Sequence, residues 1–116
     1  MNEINNTDAW DMTQALIPNN PEPLKHYSVD IVEEWETSRG VGFSGTIFAP
    51  SGVEFGFENM GDGGCNKYLA YDEKARPAFD EFRRVSKEAY PNHPEPEDMA
   101  VMWLEVRDLM ISAENK

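Results

Sequence analysis

Residues 26–59, HYSVDIVEEWETSRGVGFSGTIFAPSGVEFGFEN, decide the fold. Tyr27, Val29 and Ile31 alternate with Ser28, Asp30 and Val32, and the alternation can be followed to Trp35 and Thr37. A period of two is the mark of a strand with one buried face. Ser38-Arg39-Gly40 supplies a turn, after which Val41, Phe43, Gly45 and Ile47 alternate with Gly42, Ser44, Thr46 and Phe48. Ala49-Pro50-Ser51-Gly52 reads as a second turn, because proline suits its second position and glycine its last. Val53, Phe55, Phe57 and Asn59 then face opposite to Glu54, Gly56 and Glu58. Consecutive strands joined this closely form an antiparallel meander.

Outward from the meander, Cys65–Tyr71 reads as a short fourth strand or an ordered loop. Pro77 fits the first turn of a helix reaching about Tyr90, with Ala78, Phe79, Phe82, Val85 and Ala89 on its sheet-facing side. A second helix opens near Glu97 and Asp98, whose charges suit a helix N-terminus. Met99, Met102, Trp103, Val106, Leu109, Met110 and Ala113 mark its expected buried stripe. In the other direction, Thr7 to Ile17 is a candidate short helix stopped by Pro18, and Asn19–Pro23 reads as an extended linker. The expected organisation is an N-terminal arm over residues 1–25 and one domain over 26–116. Its class is two-layer α+β, a three- to four-stranded antiparallel sheet covered by two C-terminal helices.

Composition bounds the function. The 116 residues hold 22 acids and 10 bases, a formal charge of −12. Such a surface repels phosphate backbones and anionic membranes, so direct nucleic-acid and membrane binding are excluded and a basic protein surface is favoured. Residues 1–36 carry eight acids against one base, and Asp30, Glu33, Glu34 and Glu36 are the densest group. Glu34 and Glu36 share one face of their strand while Glu33 takes the other. Like charges held so close cost stability unless a partner supplies cations, although a charged edge that discourages aggregation explains them equally well. No apolar run approaches a membrane span, and Met1–Asn6 lacks the regions of a signal peptide, so a cytoplasmic location is expected.

Chemistry is harder to find. Gly61-Asp62-Gly63-Gly64 would let backbone amides meet an anion or a partner's main chain, or else serve as a wide turn ending the third strand. It departs from the phosphate loop, because no Lys-Ser or Lys-Thr follows, and it lacks the ligand series of a calcium loop. Cys65 would need a base to act as a nucleophile, and only His26 and His93 exist, each in a distant segment. One Cys and two scattered His have no metal-ligand spacing, so no metal or cofactor is expected. The bases Lys74, Arg76, Arg83, Arg84 and Lys87 are interleaved with acids, as a solvated helix face usually is.

In size, acidity and lack of chemistry the chain resembles small phage- and plasmid-encoded proteins that block host defence, of the anti-CRISPR and anti-restriction kind. The resemblance implies a non-enzymatic inhibitor of a host nucleic-acid-handling complex, with carboxylates standing where phosphates would. Asp30, Glu33, Glu34, Glu36, Glu54 and Glu58 would make the contact, with the Gly61–Gly64 loop at the rim. The alternatives are an adaptor binding through the sheet or the Met-bearing helix, and a small enzyme using Cys65 or the Gly-rich loop.

Overall fold

A computed structural model describes residues 17–62 and 64–114. The helix expected over residues 7–17 lies outside these residues except for Ile17. Four strands, β1 (Ser28–Thr37), β2 (Gly40–Phe48), β3 (Glu54–Asn59) and β4 (Lys67–Leu69), form one sheet in sequence order, every neighbour antiparallel. Two helices follow, α1 (Ala75–Ala89) and α2 (Pro96–Glu114). This is the expected two-layer α+β fold, and the segment after Cys65 does add a fourth strand.

One face of the sheet is buried under the helices. Ile47, Phe55 and Phe57 from the strands meet Phe82, Val85 and Ala89 of α1 and Ala100, Val101 and Leu104 of α2. Phe82 is fully buried at the centre of a ring cluster, its centroid 5.2 Å from Tyr27, 5.8 Å from Phe55 and 6.3 Å from Tyr68. Tilted and edge-on rings at these separations add to what burial alone contributes. Asp72 positions the start of α1, its Oδ1 accepting the amides of Lys74 (2.9 Å) and Ala75 (2.6 Å). The chain before β1 packs along α1. The Asn19 amide donates to the Ala89 carbonyl, and a single 3-10 turn, Leu24–His26, buries Leu24 completely.

Two sequence expectations change. In β1, Ile31 pairs with Gly45 and Glu33 with Ser44, so Val32 is an extra residue, 62% exposed. A bulge reverses the alternation beyond it. Trp35 and Thr37 therefore lie on the face opposite Ile31, and the Trp35 indole covers Gly42, where any Cβ would collide with it. In α2 the buried side is Ala100, Val101 and Leu104, and Met99 and Trp103 of the expected stripe pack partly against the core, while Met102, Val106, Leu109 and Met110 of that stripe face solvent.

Polar ties fix that rotation. Asp98 near the start of α2 accepts the Tyr68 hydroxyl (2.7 Å) and the Asn66 amide (3.0 Å). Further along, the Arg107 guanidinium donates to the carbonyls of Lys25 (3.0 Å) and Tyr27 (2.7 Å). Turning the larger apolar stripe inward would break all four bonds, each worth about 1 kcal/mol or more when a charge takes part.

Phe82→Ala should destabilise the chain by about 3–5 kcal/mol in urea unfolding, since it empties the centre of the ring cluster. Tyr71→Ala, at an exposed position, should stay within about 0.5 kcal/mol of wild type.

Candidate functional site

The sheet order leaves β1 at an edge, and the bulge at Val32 divides its acids between the two faces. Asp30 sits opposite Thr46 and Glu33 opposite Ser44, on the open face of the sheet. Glu54 and Glu58 of β3 share that face, and Glu58 pairs with Lys67 of β4. Glu34 pairs with Phe43 and Glu36 with Val41, on the side that carries the helices. The six proposed contact acids thus form no single row: two wrap one side of the β1 edge, and four spread over the open face.

Beside Glu34 the helix adds two acids that sequence reasoning passed over. A groove of about 370 Å³ runs between β1 and α2, lined by Val29, Asp30, Ile31, Glu34, Glu105, Asp108 and Leu109. Among the described residues its lining holds four carboxylates and no Lys or Arg. Asp108 is held by Arg107 at 2.7 Å and lies 3.4 Å from the Val29 amide, whose hydrogen bond it accepts. Among the described residues Glu105 has no such partner. Partial burial, and secondarily the charge of Glu34, raise its carboxyl above the usual range. The only signal in the sequence was the acid at position 105 itself, and its surroundings depend on which way α2 turns. Among the described residues no three His, Cys, Asp or Glu side chains group closely enough to hold a metal ion. Carboxylates spaced too widely to chelate suit several separate cationic side chains.

The glycine loop is engaged with its own surroundings. The Gly61 amide donates to Asn59 Oδ1 and the Gly64 amide to Asp62 Oδ1. Asn59 Nδ2 donates to the Gly64 carbonyl and to Asn66 Oδ1, and the Thr37 hydroxyl donates to the Gly61 carbonyl at 2.8 Å. Gly61 has φ +80°, and a Cβ there would come within 2.6 Å of the Gly42 nitrogen. Only glycine allows both the left-handed backbone and this approach. The loop clasps the end of the β1–β2 hairpin to β3. Gly63 lies outside the described residues.

The groups suggested for nucleophilic chemistry are not joined. Cys65 is exposed and makes no hydrogen bond to either histidine. His93 Nδ1 accepts the Glu95 amide, and His26 lines a separate, mostly apolar groove of about 540 Å³ with Tyr27, Pro50, Pro77 and Glu81. Burial, then the charge of Glu81, pushes the Tyr27 phenol up to about 12, so it stays protonated and cannot serve as a base at neutral pH. Glu81 is itself tied to Arg84. No described helix is long and apolar enough to cross a membrane.

Compared with known protein families, curated proteins and solved structures, the chain matches none.

The Glu105 carboxyl carries a signed expectation. A raised folded-state value means that the folded chain holds this proton more tightly than the unfolded one. Stability is therefore lost as pH rises through the window between the ordinary carboxyl value and the raised one. Glu105→Gln should be more stable than wild type at neutral pH, with the difference vanishing below about pH 4. Urea unfolding of both proteins across this range checks it; a variant less stable at neutral pH would reveal a cationic partner for Glu105 within the fold.

Proposed function

We propose that this chain acts by binding a cationic surface of another protein, through the acid-bearing edge formed by β1 and α2, and performs no catalysis. The observation that carries the reading is the groove in which Asp30, Glu34, Glu105 and Asp108 gather with no Lys or Arg among the described residues of its lining. Leaving carboxylates in this arrangement costs stability in the free chain, and a partner bringing Lys or Arg relieves the cost on binding. Asp30, Glu33, Glu34 and Glu36 extend the same charge along the strand.

In its narrower form the partner is a nucleic-acid-handling complex of host defence, and the chain an inhibitor of the anti-CRISPR or anti-restriction kind. Size and charge support that form, and the strand geometry sets its scale. From Asp30 to Glu36 is roughly 20 Å of extended chain, and it bears four acids. A duplex presents one charge per ~1.7 Å of axis. The edge is therefore much sparser than a duplex. It would engage a few Lys and Arg side chains at the mouth of a channel and would not fill the whole track.

Affinity capture from a host lysate, with identification of the captured proteins, tests this. A nucleic-acid-handling complex should be retained at low salt, and its capture should fall in high salt and in the Glu33→Gln, Glu34→Gln, Glu36→Gln triple variant. Capture indifferent to both salt and the triple variant would overturn the reading in favour of an adaptor. Failure to capture anything, together with a thiol at Cys65 titrating well below ~8.5, would favour the enzyme.

A further inference from the structure

Helix α2 is apolar on two opposite sides. Ala100, Val101 and Leu104 fill the core, while Met102, Val106, Leu109 and Met110 stand in solvent, Val106 41% and Leu109 66% exposed. Met102, Val106 and Leu109 follow one another at steps of four and three, the 3.5-residue repeat of a seam between two helices. The seam covers two turns, about 10 Å along the helix. Leu109 also lines the carboxylate groove, so the apolar ridge and the acidic cleft are parts of one continuous surface.

We propose that this surface docks a cationic amphipathic helix of a partner protein, its apolar residues packing along Met102, Val106 and Leu109 and its Lys or Arg side chains reaching Asp30, Glu34 and Glu105. The inference rests on the acidic-edge reading above and gives the partner its form. Apolar positions repeating at helical spacing call for a helix laid against the ridge. Charge decides what flanks that helix, because among the described residues the adjoining cleft is lined by four carboxylates and no base, and only Asp108 of the four is tied to a neighbouring arginine, Arg107. The same charge argues against a second copy of this chain, which would bring Asp30, Glu34, Glu105 and Asp108 against their own counterparts at a formal −12 per chain. Methionine at position 102 suits a ridge that adapts to its partner's side chains.

Two labelled synthetic peptides of identical Leu and Lys content test this by fluorescence anisotropy with the full chain. One carries its leucines at 3.5-residue spacing along one helix face, and the other has them scattered. The facially ordered peptide should bind about tenfold more tightly than the scattered one. Leu109→Ser and Val106→Ser should each weaken it by about fivefold or more, with circular dichroism unchanged. Paired Glu34→Gln and Glu105→Gln should weaken both peptides and flatten the salt dependence. Equal affinity for the two peptides would overturn helix docking while leaving the acidic-edge reading standing. Binding of neither peptide would overturn both. Sedimentation showing a wild-type dimer that Leu109→Ser converts to monomer would overturn the proposal by giving the ridge to a second copy.

Discussion

Burial of Phe82 among Tyr27, Phe55 and Tyr68 is the contact on which the other elements depend. It joins the segment before β1, the third and fourth strands and the first helix at one point. A four-stranded antiparallel sheet with one bare apolar face is not stable in water, and α1 covers only part of it. Phe79 extends the cluster by lying 5.1 Å from Tyr68 and 5.7 Å from Phe55. Helix α2 completes the cover with Ala100, Val101 and Leu104, beside which Met99 and Trp103 pack partly buried.

How α2 turns about its own axis then decides the character of the surface. Hydrophobic burial alone would leave that rotation ambiguous, because both sides of the helix carry apolar residues. The polar ties at Asp98, Arg107 and Asp108 resolve it, and the Arg107 guanidinium also lies 5.5 Å from the Trp103 ring centre. Hydrogen bonds of this kind contribute modestly to net stability but strongly to choosing between near-equal packings. Their consequence is functional: Glu105 comes to face Glu34, and Leu109 comes to border the cleft between them.

The strands were readable because alternation and turn chemistry are local. Tyr27 to Ile31, Val41 to Ile47 and Val53 to Asn59 needed no knowledge of the rest of the chain. The bulge at Val32 was hidden, since one extra residue leaves no mark in composition and shows only when β1 is paired with β2. The side of α2 that is buried was legible only in part, at Met99 and Trp103, for a related reason. The longer and larger stripe, Met102 to Met110, outweighs Ala100, Val101 and Leu104 in any count of apolar residues, while the bonds that override it join residues up to 82 positions apart. The glycine loop could be read as a loop, but its clasp through Asn59, Asn66 and Thr37 could not. Of the candidate site, the acids of β1 were visible as charge, whereas the cleft that gathers them with Glu105 and Asp108 exists only in the folded chain.

The central claim is that the β1–α2 edge is the working surface of this protein. Hydrogen–deuterium exchange on the full chain, alone and in complex with whichever protein it captures, tests it most directly. The account predicts that partner-dependent protection concentrates in residues 30–36 and 102–110. Protection centred on residues 61–64 or on the groove at Tyr27 and Pro77, with β1 and α2 unchanged, would contradict it.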